Sequence, residues 1–199
     1  FKKLPVGTKL ICNDAKFEIT QIGKECHSHC EIYKRVGDCI MPREGIFAKV
    51  LESGTIKVGD KIEVIYPEKD MPYMAAVMTL SDKGSRGERV DTSGPRAAEI
   101  LKEHGFKIVE EIILPDEEAQ IKKHLIRLSD SRQVDLIITT GGTGLSPRDR
   151  TPEATLAVAD RNVPGISEAI RAGSMTITKR AMLSRGVSVI RKKTLIINL

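Results

Sequence analysis

Apolar positions along the chain follow two rhythms, and the change falls near residue 73. Before it, short alternating runs at 8–12, 16–22, 46–51 and 61–65 are separated by Gly, Asp and Asn turns, the pattern of half-buried β-strands. No segment there carries the 3.6-residue spacing of a helix. The stretch from Gly54 to Asp60 joins two of these strands, and Gly59-Asp60 supplies the turn chemistry of a hairpin or barrel corner. Residues 67–72, with Pro67 and Pro72 bracketing Glu68, Lys69 and Asp70, interrupt the pattern and read as a linker. The expected division is a β-segment over 1–66, the linker, and a larger domain over 73–199.

From Tyr73 the rhythm becomes strand, loop, helix, repeated. Strands are expected at 74–80, 106–114, 134–140, 187–190 and 194–199. A polar, glycine-containing loop over 81–89 precedes a helix that starts near Ser93, with Pro95 in its first turn, and ends at Gly105. Asp116 occupies an N-cap position before Glu117 and Glu118, acids that suit the positive end of a helix running to about residue 129. Thr151-Pro152 opens another helix, and helical stretches follow at 166–172 and 179–183. Alternation of this kind predicts an α/β fold, three layers with a mostly parallel sheet and helices on both faces.

One connection stands out chemically: Thr139-Thr140-Gly141-Gly142-Thr143-Gly144-Leu145-Ser146-Pro147-Arg148-Asp149-Arg150-Thr151-Pro152-Glu153-Ala154, between a strand and a helix. Ligands of open α/β sheets collect at the carboxyl ends of strands, and glycines there let backbone N–H groups approach phosphate oxygens. No Lys-Ser/Thr pair follows the glycines, so this is not a Walker loop, and Pro147 stands where a dinucleotide fingerprint needs its third glycine.

Composition adds constraints. With 40% hydrophobic and 30% charged residues, the 199-residue chain has the make-up of a folded globule, large enough for two units. No apolar run reaches bilayer-spanning length and no leader opens the chain, so a cytoplasmic protein without a membrane partner is expected. The start at Phe1 and the end at Leu199 read as those of a fragment. A net charge of +5 is unevenly placed: after Glu168 there is no acid, while Arg171, Lys179, Arg180, Arg185, Arg191, Lys192 and Lys193 follow. That stretch has no aromatics to stack bases, so phosphate-bearing small molecules are favoured over nucleic acid. All four cysteines, Cys12, Cys26, Cys30 and Cys39, precede residue 40 and confine thiol or metal chemistry to the N-terminal part.

Residues 139–154, together with Ser81-Asp82-Lys83, Asp135-Leu136-Ile137-Ile138, Ala181-Met182-Leu183-Ser184-Arg185 and Leu195-Ile196-Ile197-Asn198-Leu199, resemble the molybdopterin adenylyltransferase family, to which the G domain of gephyrin belongs. The likeness spans 73–199, and the family continues beyond the point where this chain stops. It implies magnesium-dependent transfer of AMP from ATP to molybdopterin, and a homotrimer. Asp116 and Asp149 match the family's functional aspartates and would be both the catalytic pair and the magnesium ligands. Asp116 is equally explained as an N-cap, and Asp149 as a partner of Arg148 or Arg150. The nucleotide and pterin would lie against Ser81, Asp82, Thr140, Gly141, Gly142, Thr143, Gly144 and Arg148. Ser184 and Arg185 resemble the part of the family site that receives the pterin phosphate.

Residues 21–65, including Gly23-Lys24-Glu25-Cys26-His27, Gly37-Asp38-Cys39-Ile40-Met41-Pro42-Arg43-Glu44-Gly45 and Val58-Gly59-Asp60, look like the closing half of a MOSC domain, a β-rich, barrel-like module. By that resemblance Cys26 is the thiol associated with sulfur transfer or cofactor binding. Cys26-His27-Ser28-His29-Cys30 also contains zinc-ligand types, but neighbours on a strand point to opposite faces, which is awkward for one tetrahedral site. Ordinary reduced cysteines remain a third reading. For the whole chain the alternative to an enzyme is a non-catalytic molybdopterin or cofactor carrier with a sulfur-handling module.

Overall fold

A computed structural model describes residues 4–24, 30–67 and 72–199. The chain divides into two compact units, Phe1–Met71 with Asp130–Gln133, and Pro72–Ser129 with Val134–Leu199.

The smaller unit is built on an antiparallel sheet of β1 (Lys9–Cys12), β2 (Ala15–Ile22), β3 (Ile46–Glu52) and β4 (Glu63–Ile65), in the order β3-β2-β1-β4. β1 and β2 form a tight hairpin in register Cys12 to Ala15, turned through Asn13 at φ +51°. Cys12, Ala15 and Ile19 are buried, the inward set that alternation along the strands predicts. Two helices depart from the all-β expectation: α1 (Glu31–Val36) and α2 (Met41–Glu44). α1 buries no residue and is held by local chemistry instead. Gly37 closes it at φ +76° with its N–H on Tyr33 O, Glu31 opens it, and Lys34 pairs with Glu31 at 2.8 Å. A helix of six residues is too short to print an amphipathic period, so the pattern along the chain could not reveal it. Cys26, His27, Ser28 and His29 lie outside the described residues.

In the larger unit β5 (Met74–Leu80), β6 (Lys107–Leu114), β7 (Leu136–Thr140), β8 (Arg161–Asn162), β9 (Ser188–Arg191) and β10 (Thr194–Asn198) make one sheet in the order β6-β5-β7-β10-β9-β8. β5 runs parallel to β6 and β7, and β10 is parallel to β7, while β9 and β8 continue the edge antiparallel. All five residues of β7 are buried, as are Ala75 to Leu80 of β5, which is why these central strands read as unbroken apolar runs.

Alternate residues serve opposite faces. On one, Ala76, Met78, Leu80 and Ile137 pack against Ile121 and Leu125 of α5 (Glu118–Ile126) and Ala154 of α6 (Thr151–Ala157). On the other, Ala75, Leu136 and Ile138 pack against Ala97 and Leu101 of α4 (Ser93–Glu103). Truncating a fully buried side chain such as Ile137 to alanine would cost about 3 kcal/mol. α3 (Asp82–Ser85) is a single turn inside what the sequence presents as a loop, and α7 (Pro164–Met175) leads to a 3-10 turn over Lys179–Leu183. α5 ends at Ile126 and widens into a π-turn over Arg127–Ser131 rather than continuing as α-helix. Among the described residues no helix is long and apolar enough to cross a membrane.

This topology fixes where a ligand belongs. From β5 the chain moves to β6 on one side and then returns to β7 on the other, so the strand order reverses between β5 and β7. The crevice beyond the carboxyl ends of such a strand pair is the binding place of open α/β sheets.

Candidate functional site

Leu80 and Thr140 end the two strands at the reversal, and the chain leaving Thr140 has to turn hard against its neighbour. A Cβ on Gly141 would come within 2.3 Å of Leu80 O, and Gly141 holds φ +90°. At Gly142, φ +64°, a Cβ would lie 2.2 Å from Thr151 Oγ1 and 3.0 Å from Asp116 Oδ1. Only glycine meets both demands, of conformation and of space.

The bend sorts its polar groups by sign. Its carbonyls are capped from within: Gly141 O accepts Thr151 Oγ1 at 3.0 Å, Gly142 O accepts Thr151 N at 3.2 Å, Thr143 O accepts Arg185 N at 2.9 Å, and Gly144 O accepts Arg185 Nε at 2.7 Å. The amides of Gly142, Thr143 and Gly144 donate to no acceptor among the described residues. Gly141 is exposed and Gly142 to Gly144 half-buried, so the unspent donors are reachable. Successive free N–H groups on a left-handed turn form an anion receptor.

Two carboxylates border this receptor. Asp116 comes from the connection after β6, but it does not cap α5, whose N-cap is Glu117 and makes no side-chain cap bond. Its carboxylate points instead at Asp82, accepting the Asp82 N–H through Oδ2 at 3.0 Å, while Oδ1 is buried with no partner. Burial foremost, then the charges of Asp82 and Asp149, push the Asp116 carboxyl above the ordinary range. Asp149 pairs with neither flanking arginine. Its Oδ2 accepts Ser146 N at 2.9 Å and would sit 2.8 Å from a Cβ on Gly144. Arg148 reaches Asp82 through two bonds, Nε to Oδ2 at 3.0 Å and Nη2 to Oδ1 at 2.7 Å, and Arg150 pairs with Glu118 at 2.8 Å. The Arg148 hydrogen bonds, more than any other influence, hold the Asp82 carboxyl below its usual range.

Ser81 caps α3, accepting Gly84 N at 3.0 Å. Ser184 follows the 3-10 turn and accepts Gly186 N at 3.3 Å, and the Arg185 guanidinium folds inward onto the bend and onto Glu153. A cavity of about 220 Å³ opens beside Gly141, lined by Ser81 and Thr140 and, from the connection into α4, by Arg89, Asp91 and Ser93. Asp116 and Asp149 are not among its lining residues and meet the bend through Gly142 and Gly144 instead. Asp91 fixes the cavity's far wall: Oδ1 accepts Ser93 N and Gly94 N at 3.0 and 3.1 Å, and Oδ2 accepts Thr79 Oγ1 at 2.6 Å. Nothing in the sequence marks Thr79, Arg89 or Asp91 as site residues, and Ser93 reads there only as a helix start, with Asp91-Thr92-Ser93-Gly94-Pro95 in the form of a capped one.

A hard divalent cation fits the donor set beside the bend. The orphaned Asp116 Oδ1 and the Asp149 carboxylate offer oxygen alone, as magnesium prefers. Among the described residues no group of three or more His, Cys, Asp or Glu side chains converges on a metal position. In the smaller unit Cys12 is buried, Cys39 half-buried and Cys30 exposed, and the amides of Tyr33 and Ile32 draw the Cys30 thiol below its usual range.

Free amides at the reversal point of a doubly wound sheet are an arrangement in which α/β proteins bind phosphate esters. Residues 76–199 match the family model described as "Probable molybdopterin binding domain", and the chain belongs to that family. It is 43% identical over 125 residues to the molybdopterin adenylyltransferase of Helicobacter pylori J99, a match covering 62% of this chain and 71% of that relative. With the molybdopterin adenylyltransferase of Escherichia coli K12 it shares 44% identity over 126 residues, 62% of this chain and 64% of the relative. The solved molybdopterin biosynthesis enzyme MoaB of Thermus thermophilus superposes with a TM-score of 0.61 at 47% identity, over 64% of this chain and 80% of that one.

Proposed function

We propose that the larger unit is a molybdopterin adenylyltransferase of molybdenum cofactor biosynthesis, using ATP and magnesium. The observation that carries the reading is the asymmetry of the bend after β7, with carbonyls capped and amides at 142–144 unspent beside the lone Asp116 Oδ1. In the reaction an oxygen of the molybdopterin phosphate attacks the α-phosphorus of ATP, the bond to the bridging oxygen breaks, and pyrophosphate leaves. Transfers of this kind are accelerated chiefly by positioning and by donors fixed where charge develops. The bend's amides would accept a phosphate oxygen without reorganisation, and Asp116 and Asp149 would hold magnesium. When bound, that ion supplies neutralisation of phosphate charge. The cavity beside Gly141 supports a second ligand compartment adjoining the bend.

Pyrophosphate release from ATP and magnesium, dependent on added molybdopterin, tests the reading. Binding of molybdopterin without pyrophosphate release would identify a carrier instead.

The resemblance of residues 21–65 to the closing half of a MOSC domain extends the proposal to a sulfur-handling or cofactor-binding module, with Cys26 as its thiol. The family likeness also supports a homotrimer, and exposed Leu145, Ile177, Met182 and Leu183 offer apolar surface for such an assembly. Light scattering measures that mass directly.

A further inference from the structure

Arg185 is committed before any ligand arrives. Its Nε donates to Gly144 O at 2.7 Å, its Nη2 to Asp149 O, and its Nη1 to Glu153 Oε1. Its own backbone N–H donates to Thr143 O at 2.9 Å. Arg185 thus grips the bend at positions 143, 144 and 149 and ties it to the first turn of α6. Between those grips the loop is closed by Asp149 N on Ser146 O and Ser146 N on Asp149 Oδ2, both at 2.9 Å.

Glu153 is the anchor that keeps the guanidinium turned inward. Its Oε2 is buried without a partner, and Oε1 has Arg185. The Arg185 hydrogen bond is the foremost cause holding the Glu153 carboxyl below its ordinary range. Swinging the guanidinium out toward a free phosphate would strand this carboxylate and two loop carbonyls, each a costly loss.

We propose that Arg185, anchored by Glu153, is a positioning residue that sets the 143–149 bend, so that the free amides and the Asp149 carboxylate address one ligand. It is not itself the phosphate ligand that its place in a basic, acid-free stretch suggests. The proposal rests on the reading of the bend as a phosphate receptor, and it extends that reading to the device that shapes the receptor.

The experiment compares Arg185→Met, Arg185→Lys and Glu153→Gln with the unaltered protein in two ways. Steady-state pyrophosphate release should show kcat for Arg185→Met lowered by about 10²-fold with KM for molybdopterin within about threefold, the signature of misplaced groups rather than lost binding. Arg185→Lys recovers part of kcat, and Glu153→Gln lowers the same parameter more mildly. Amide hydrogen exchange should quicken about tenfold or more at the bonded amides of Ser146 and Asp149 in Arg185→Met, with Lys107–Leu114 of β6 unchanged as the control for folding. A KM raised about tenfold with kcat intact would make Arg185 a substrate ligand and overturn the proposal. Unchanged exchange at Ser146 and Asp149 would overturn it whether or not the unaltered protein turns over. Absent turnover in the unaltered protein, by contrast, removes the adenylyltransferase reading and leaves the exchange result to decide the positioning role. If Arg185→Met fails to fold, Arg185→Lys carries both measurements.

Discussion

Asp82 and Asp116 clasp each other across the ends of β5 and β6: the Asp82 N–H donates to Asp116 Oδ2 and the Asp116 N–H to Asp82 Oδ1, each at 3.0 Å. The clasp is symmetric in its bonds and asymmetric in its consequences. Asp82 receives the Arg148 fork as well and is stabilised as the anion, whereas Asp116 keeps one buried oxygen with no donor and resists ionisation. Neighbouring carboxylates pushed apart in this way take different roles, one structural and one reserved for a cation or a proton.

Asp116→Asn should therefore raise thermal stability while removing activity. The amide keeps an acceptor for Asp82 N and carries no charge to bury. A folded-state pKa above the unfolded value means that protonation favours the native state, so this contribution is complete below the ordinary carboxylate range and is lost as pH rises through the raised value. Calorimetry at neutral pH should show Tm higher by about 2–4 °C, and the gain should vanish in acid. A lower Tm at neutral pH contradicts the strained-carboxylate account.

Arg148→Met acts in the opposite sense on Asp82. The pair stabilises the fold above the ordinary Asp range and is lost as pH falls through the depressed value. With the arginine 57% exposed, the change in stability should stay within about 1 kcal/mol. Denaturant titrations at neutral and acid pH should differ from the parent only at the higher pH.

Asp149→Ala should abolish adenylyl transfer and leave the sheet intact, since its side chain bonds only Ser146 N within the loop. AMP incorporation into molybdopterin is expected to fall by about 10²-fold or more, with a Tm loss of a few degrees at most. Near-parental turnover would take Asp149 out of the mechanism.

The sheet was legible because strands covered on both faces leave continuous apolar runs, and β5, β7 and β10 sit within a residue or two of their expected limits. The bend was legible because three glycines beside a strand end have few other uses. What escaped the sequence depends on distant pairings. Asp116 followed by two glutamates has the form of an N-cap, and only a partner 34 residues away gives it another task. Arg148 meets Asp82 across 66 residues, and Arg185 meets the loop across 36 to 41. Local spacing carries no trace of such contacts. The thiol at Cys26 is a different case, since it lies outside the described residues.

Gly142→Ala should damage both fold and site. The left-handed φ of +64° costs an alanine about 1 kcal/mol, and its Cβ would meet Thr151 Oγ1 at 2.2 Å, which adds strain of similar size or more. Denaturant unfolding should report a loss of about 2 kcal/mol or more, and kcat for pyrophosphate release should fall with it. An unchanged kcat would show that the bend's shape is not used in the reaction.

The most direct test of the account is a crystal structure of the protein with molybdopterin, magnesium and a non-hydrolysable ATP analogue. A phosphate oxygen is expected within hydrogen-bonding distance of the amides of Gly142, Thr143 and Gly144, with Asp116 Oδ1 and Asp149 facing the same ligand or its cation. A phosphate bound elsewhere, with those three amides still without an acceptor, would contradict it.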